Sequence, residues 1–312
     1  MAGGQERVLR RRIKSVQSTR KITRAMELIA ASRIVKAQQR VAAARPYAEH
    51  ITEVIRSVAS AGANLNAPLL VERTEIRRVA FVVIAADRGL AGGYNGNVLR
   101  AAERALKQQQ AQGRDYALYL TGRKAINYFR FRRYRIDASW SGFSEFPQYE
   151  DARRVAEVLL TDFDEGRIDQ VELVYTQFLS LATQRVLVRR FMPLDTGTLA
   201  DAPRDEVHSD YEYEPSPDGI LQALLPRYVE ARLFAAMLDA AASEHAARQR
   251  AMKSATDNAD ALTTVLQRAM NRARQESITT EIMEIVGGAE ALGGARKRKA
   301  HQHEEAEYEE HV

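Results

Sequence analysis

The sequence of 312 residues contains no cysteine. Structural disulfides, cysteine-ligated zinc, iron–sulfur clusters and thiol nucleophiles are therefore excluded. Long apolar runs are also missing, and the longest, residues 79–86, is far shorter than the roughly 20 residues that a membrane-spanning helix needs. The basic amino terminus is not followed by an apolar segment, so it is not typical of a secretory signal. We expect a soluble chain that reaches a membrane only through partner proteins.

Aromatic residues are scarce, at 7% of the chain, and alanine is abundant near both ends, which favours long helices packed through small side chains. The net charge of +5 is unevenly placed, since residues 1–60 hold 13 Lys and Arg against 4 Asp and Glu. A basic helix of this kind is compatible with nucleic-acid binding, although no aromatic residues are interleaved for base stacking. An acidic protein partner and a solvent-exposed basic face remain alternatives.

The first 62 residues are predicted to form one long helix. Its apolar positions follow the four-and-three spacing of a coiled-coil seam: Ala30, Ile34, Ala37, Val41, Ala44, Ala48, Ile51, Ile55 and Val58. Ile22, Met26 and Ile29 are expected to continue the apolar face upstream. Pro46 lies off the seam, and Gly62 is expected to end the element.

Residues 76–205 predict an α/β domain with a mostly parallel sheet, because strand patterns alternate with helical ones. The expected strands are residues 79–85, 116–120, 170–178 and 185–191, and the expected helices are a stretch ending at residue 112, residues 123–130 and residues 149–164.

A second long helix is predicted over residues 216–294. Ser216, Pro217 and Asp218 supply an N-cap, a first-position proline and a first-turn acid, and Gly293-Gly294 is expected to end the helix. Residues 295–312 form blocks of basic and then acidic charge, which is typical of disorder.

Both long helices flank one domain, so they are expected to pair with each other in antiparallel orientation. Residues 277–292 contain no Lys or Arg and end the second helix in apolar side chains. An exposed apolar end of this size indicates a surface for another protein.

No catalytic residues and no cofactor or metal site are predicted. The loop of residues 87–95 follows a strand and precedes a helix, but it lacks the lysine and the spacing of a phosphate-binding loop. A structural turn is the better interpretation. His301, His303 and Glu304 could bind a metal weakly, yet a solvated tail explains them better because oriented second-shell partners are absent there.

Fourteen residues near the carboxyl terminus resemble the signature of ATP synthase gamma subunits at every fixed position: Ile278-Thr279-x-Glu281-x-x-Glu284-x-x-x-Gly288-Ala289-x-Ala291. Residues 12–33, 87–95 and 252–258 are similar to the first helix, the central domain and the returning helix of that family. The resemblance covers about residues 4–294. It implies an antiparallel coiled coil joined to a Rossmann-like α/β domain.

The resemblance also implies a function. Gamma subunits are the central rotor shaft of the bacterial F-type enzyme, coupling proton-driven rotation of the c ring to ATP synthesis or hydrolysis in a ring of alpha and beta subunits. They catalyse no reaction themselves. Alpha, beta, epsilon and c-ring subunits are the implied partners, without nucleic acid, and the implied location is peripheral, on the cytoplasmic face of the plasma membrane. A coiled-coil adaptor or a nucleic-acid-associated protein remains the alternative.

Individual positions match contact residues of the family. Contacts with the beta subunit are expected at Lys21, Arg24, Met26, Arg248, Arg274, Gln275, Thr279 and Glu281. The tip held in an apolar bearing is expected to include Ile282, Ile285, Val286, Ala289 and Leu292. The foot on the c ring is expected to include Tyr211, Tyr213 and Glu214.

Overall fold

The computed structural model describes residues 2–60, 67–194, 214 and 216–309, with side chains described inside the long helices only for residues 4–58 and 217–290. The chain divides into two compact units. One comprises Met1–Arg24 with Ser254–Val312, and the other comprises Ala25–Lys253. Both divisions fall inside the long helices, after Arg24 and after Lys253.

The described part of the chain contains five helices and five strands. The helices are α1 (Ala2–Ser60), α2 (Tyr94–Ala111), α3 (Arg123–Phe131), α4 (Tyr149–Asp164) and α5 (Pro217–Glu309). The strands are β1 (Arg78–Ile84), β2 (Asp115–Thr121), β3 (Ala138–Trp140), β4 (Gln170–Phe178) and β5 (Gln184–Met192). The predicted elements are all present within one or two residues at most ends, and β3 is an additional strand.

The five strands form one sheet in the order β3-β2-β1-β4-β5. The first four strands are parallel, and β5 pairs with β4 in antiparallel orientation. This arrangement confirms the mostly parallel sheet. The sequence did not predict β3 because its three residues are only half-buried or exposed and carry no apolar run.

Alternate residues of β1 face the two sides of the sheet. Val79, Phe81 and Val83 pack with α2 and α3, whereas Ala80, Val82 and Ile84 pack with α4 and with the parts of α1 and α5 in the same unit. Because β1 is covered on both faces, it contains an apolar run without polar alternation. The sheet is therefore anchored on the long helices through one face only.

The heptad pattern of α1 marks the face that packs inward. Ala30, Ile34 and Ala37 are buried, as are Ile51, Ile55 and Val58 nearer the end of the helix. Val41, Ala44 and Ala48, between these two groups, are half-buried. The seam therefore coincides with the predicted one.

Upstream of this seam the expected apolar face is wrong. Ile22 and Ile29 are 59% and 53% exposed, and the buried positions are instead Thr23 and Glu27. The seam continues through polar residues because a buried hydroxyl is tolerated where it has a hydrogen-bonding partner. Thr23 Oγ1 lies 2.8 Å from Thr256 Oγ1.

The two long helices are antiparallel within the first unit. Thr23 contacts Thr256, and Arg20 pairs with Asp260 at 2.5 Å, so residue numbers fall along one helix as they rise along the other. Ile13 and Ala273 are buried farther along the pair. The predicted antiparallel pairing of the terminal helices is confirmed.

The start of α5 agrees with the sequence, and its end does not. Gly219 N donates to Ser216 Oγ at 3.2 Å, as expected of an N-cap. The helix then continues to Glu309, past its predicted end at Gly293-Gly294. Residues 295–309 consist largely of Ala, Arg, Lys, Gln and Glu, whose high helix propensity continues the helix past two glycines.

Replacing Ile55 by Ala should destabilise the chain by about 2–5 kcal/mol, because the side chain is fully buried in the core shared by α1 and the sheet. The matched control is Val54→Ala, one residue earlier on the same helix, where the side chain is 46% exposed and the effect should stay within about 0.5 kcal/mol. Urea unfolding of both variants provides the measurement. Equal midpoints for the two variants would contradict the packing described.

Candidate protein–protein interface

The carboxyl-terminal edge of the parallel strands is where α/β sheets usually bind ligands. Here the Asp87 carboxylate occupies that position. Its Oδ2 accepts hydrogen bonds from Gly142 N at 2.8 Å and Ser144 N at 3.1 Å, and its Oδ1 accepts from Arg123 N at 3.1 Å. Because Arg123 is the first residue of α3, the carboxylate takes the place at the helix N-terminus that a phosphate would occupy.

Helix α5 covers the same edge of the sheet. Tyr94 Oη donates to Ala240 O at 3.1 Å, and Ser243 Oγ donates to Thr176 O at 3.1 Å. The cavity left between Gly122 and Glu244 has a volume of about 10 Å³, which is room for one water molecule at most. This packing supports the structural interpretation of residues 87–95.

Neither a metal centre nor a membrane span emerges from the described residues. Their His, Asp and Glu side chains form no group of three or more that could hold a metal ion. None of their helices is long and apolar enough to cross a membrane. The side chains of His301, His303 and Glu304 lie outside the described part of the structure.

Most of the expected contact residues lie on exposed helix surface. Lys21 and Arg24 on α1, and Arg274, Gln275, Thr279 and Glu281 on α5, are exposed, whereas Met26 is half-buried. Thr279 Oγ1 donates to Gln275 O at 2.9 Å, one turn earlier. The structure brings the four α5 residues together within two turns.

Arg248 differs from the other expected contact residues because it is buried, at 6% exposure. Its Nη2 pairs with Glu244 Oε1 at 2.6 Å and donates to Gly89 O at 3.3 Å, and its Nη1 lies 3.5 Å from Glu145 Oε1. The guanidinium is thus engaged inside its own unit, and its contact with the beta subunit stays a prediction.

Burial sets the protonation preferences around Arg248. Burial raises the pKa of Glu244, and Arg248 opposes that rise. Burial also lowers the pKa of His245, whose Nε2 lies 3.2 Å from Glu145 O. This cluster was not predicted from the sequence. The pattern that could have indicated it is the presence of Glu244, His245 and Arg248 within an alanine-rich stretch of helix.

Two adjacent stripes run along the exposed face of α5. Arg274, Ile278, Glu281 and Ile285 follow the spacing of one stripe, and Gln275, Thr279, Ile282 and Val286 follow that of the next. All eight residues are exposed. The first stripe thus alternates charged and apolar side chains, whereas the second passes from the polar Gln275 and Thr279 to the apolar Ile282 and Val286.

The apolar ends of these stripes are not covered by α1. Counting from the contact between Thr23 and Thr256, α1 extends another 21 residues to Ala2. Because both helices rise by the same distance per residue, Ala2 lies level with about residue 277 of α5. Beyond that point five large apolar side chains are between 49% and 72% exposed: Ile278, Ile282, Met283, Ile285 and Val286. A contiguous apolar patch of this kind marks a protein interaction surface.

The remaining expected site residues are only partly described. Ala289 is exposed on α5, and the side chain of Leu292 lies outside the described part. Glu214 is exposed at a bend just before α5, whereas Tyr211 and Tyr213 fall outside the described residues.

A family model described as ATP synthase matches residues 5–292. The chain is 54% identical to the ATP synthase gamma chain of Parafrankia sp. over 293 residues, which cover 93% of this chain and 98% of that protein. The chain belongs to the ATP synthase gamma-chain family. It is also 50% identical to the gamma chain of Kineococcus radiotolerans, with 95% of this chain and 99% of the relative covered.

Solved structures share the fold at much lower identity. The OSCP/F1/c-ring structure of Euglena gracilis mitochondrial ATP synthase contains a chain with a TM-score of 0.64 and 16% identity, covering 95% of this chain and 97% of that one. The central stalk/c-ring structure from Tetrahymena thermophila gives a TM-score of 0.56 and 22% identity, covering 75% and 99%.

The apolar end of α5 should be protected only in the assembled complex. A helix segment without tertiary packing is marginal in water, and Gly287 and Gly288 weaken it by about 1 kcal/mol each. In the free chain, amide hydrogens of residues 278–290 should therefore exchange at nearly unprotected rates, and they should slow on assembly into ATP synthase.

Hydrogen exchange followed by mass spectrometry measures both states, and residues 254–263, which lie alongside α1, serve as the internal control. Equal protection of residues 278–290 in the free and assembled chain would mean that the chain covers these residues by itself.

Proposed function

We propose that this chain is the central rotor shaft of an F-type ATP synthase, coupling proton-driven rotation of the c ring to ATP synthesis or hydrolysis in the alpha/beta ring. One observation carries the proposal, namely the exposed double stripe on α5, which begins with Arg274 and Gln275 and ends with Ile285 and Val286 beyond the reach of α1. Membership of the gamma-chain family and the central-stalk descriptions of similar folds support it.

The shaft acts through contacts and catalyses no bond-making step of its own. The edge of the sheet that could bind a nucleotide is filled by Asp87 and covered by α5. A rotor can drive its partners only if it binds their conformations with different free energies. The stripes on α5 supply such differences because their residues change from charged to apolar along and around the helix.

The polar starts of the stripes suit contacts with beta subunits. Arg274 and Gln275 form a polar catch in this proposal, with Thr279 and Glu281 one turn farther along. Lys21, Arg24 and Met26 on α1 face an acidic loop of the beta subunit. The exposure of Lys21, Arg274, Gln275, Thr279 and Glu281 supports these roles.

The apolar ends of the stripes suit a socket formed by other subunits. Ile282, Ile285, Val286, Ala289 and Leu292 form the tip held in an apolar bearing of the alpha/beta ring. Burying one such large side chain stabilises the assembly by about 1.5–3 kcal/mol, so the tip can be exposed alone and ordered in the complex.

The opposite end of the shaft is assigned to the membrane sector. Tyr211, Tyr213 and Glu214 contact polar loops of the c ring, and the α/β domain contacts epsilon. The chain is then peripheral, on the cytoplasmic face of the bacterial plasma membrane, and is held there by its partners.

Co-purification separates the rotor from an adaptor. A tagged chain expressed in its own cells should recover alpha, beta and epsilon subunits in fixed stoichiometry. Recovery without alpha and beta would favour an adaptor, and recovery with bound RNA or DNA would favour a nucleic-acid-associated protein.

The double variant Arg274→Ala with Gln275→Ala should slow turnover of the assembled enzyme without unfolding the chain. Charge-assisted hydrogen bonds contribute about 1.5–3 kcal/mol each, enough to change the barrier of a rotary step by tenfold or more. ATP synthesis in inverted vesicles and ATPase of the soluble complex are measured together.

The matched control is Gln267→Ala with Arg268→Ala, which removes the same two residue types from exposed positions one heptad earlier on α5. Equal rates in both variants and in the unmodified enzyme would contradict a catch at Arg274 and Gln275.

Replacing Tyr211, Tyr213 and Glu214 together by Ala should weaken attachment to the c ring. ATP-driven proton pumping in vesicles should fall, while ATPase of the soluble alpha–beta–gamma complex stays intact, because in this proposal these residues contact the c ring and not the alpha/beta ring. The two activities are compared on the same preparation. Loss of both to the same extent would argue against the foot.

A further inference from the structure

A short segment between β3 and α4 contacts both long helices. This joint segment, residues 144–148, lies within the unit that contains residues 25–253, as do all of its partners described below. It contributes one carboxylate, two backbone carbonyl groups and an aromatic ring to the contacts.

The Glu145 carboxylate is the centre of the joint segment. Arg33 of α1 donates to its Oε2, and Arg248 Nη1 of α5 lies 3.5 Å from its Oε1. Arg88, in the loop after β1, adds a third cation at 3.8 Å. Because the side chain of Glu145 is only 17% exposed, these attractions are less screened than those of surface ion pairs.

Backbone groups extend the contact along both helices. His245 Nε2 of α5 lies 3.2 Å from the Glu145 carbonyl oxygen, and Arg40 of α1 donates to the Pro147 carbonyl oxygen. The Phe146 ring lies between the two helices, 5.7 Å from Arg33 Cζ and 6.1 Å from the His245 ring, measured from its centroid. Each helix is therefore fixed at two or more points.

The joint segment is itself fixed to the sheet. Ser144 N donates to Asp87 Oδ2 at 3.1 Å, and Asp87 N donates to Ser144 Oγ at 2.9 Å. Asp87 lies three residues after the end of β1 and accepts a hydrogen bond from Arg123 N at the start of α3 through the same carboxylate. Two hydrogen bonds between Asp87 and Ser144 thus connect the loop after β1 to the residue that precedes Glu145.

We propose that Glu145 is a positioning residue of the rotor. It fixes the α/β domain to α1 and α5, so that torque on the domain turns the helices with little elastic twist between them. The proposal rests on the rotor function proposed above. Apolar packing alone is non-directional. The charge-assisted hydrogen bond from Arg33 and the longer ion pairs with Arg248 and Arg88 instead hold Glu145 from three directions.

The test replaces Glu145 by Gln, which keeps the size of the side chain and removes its charge. Torsional stiffness is measured on the assembled, surface-held ATP synthase from the thermal fluctuation of a bead attached to the c ring while the rotor is arrested. Charged hydrogen bonds are roughly twice as strong as neutral ones, so Glu145→Gln weakens the contact and the stiffness should fall below that of the unmodified enzyme. A role in folding alone would lower the melting temperature and leave this stiffness unchanged.

The matched control is Glu150→Gln on α4, an exposed carboxylate whose described partner is Arg153 at 3.5 Å. Stiffness of the control should equal that of the unmodified enzyme. Glu145→Asp, which keeps the charge, should lie between the control and Glu145→Gln. Equal stiffness in Glu145→Gln and the control would overturn the proposal.

If Glu145→Gln fails to assemble, Arg33→Gln decides the question, because Arg33 is about one-third exposed and its loss leaves the pair of Arg248 with Glu244 intact. A fall in stiffness supports the joint, and no fall overturns it. Failure of the rotor function itself would be visible in the unmodified complex, where the chain would not turn with the c ring.

Discussion

The alanine-rich part of α5 packs against the carboxyl-terminal edge of the sheet, and much of the molecule depends on that contact. Ala236, Ala240 and Ala242 are buried there, so the backbone of α5 comes close enough for Ala240 O to accept from Tyr94 and for Ser243 to bond Thr176 O. Larger side chains would hold the helix away from the strand ends. The small residues of α5 thus have two effects: they let the helix cover the carboxyl-terminal edge of the sheet, and they fix the helix to the domain.

Closing that edge changes what the α/β domain can do. A parallel sheet of this type usually places its ligand at the ends of the strands, but fold alone does not determine function. Here the same edge carries Asp87, the joint segment and the buried pair of Glu244 with Arg248. The edge of the sheet that holds a nucleotide in related architectures contacts α5 instead. The domain therefore serves as the anchor of the long helices.

The sequence predicted the periodic elements well and the polar exceptions poorly. Apolar periodicity found the seam from Ala30 to Val58 and nearly all strands, because burial of apolar area dominates those regions. It misplaced Ile22 and Ile29, where the buried positions are Thr23 and Glu27, and it missed the short strand β3. The burial of Arg248 was not predicted, because its neighbour Glu145 is distant in sequence and comes close only in the fold. Polar contacts of this kind leave no local pattern.

The side of α5 that faces α1, and not only the length of α1, determines which surface stays exposed. Ala273 marks the side that packs on α1, since it is buried there. Arg268 and Asn271, two heptads before Ile282 and Ile285, are exposed although α1 runs alongside. Ile282 and Ile285 therefore lie on a side of α5 that α1 leaves open. Exposing their side chains is unfavourable in the free chain, and burying the same apolar area stabilises an assembly.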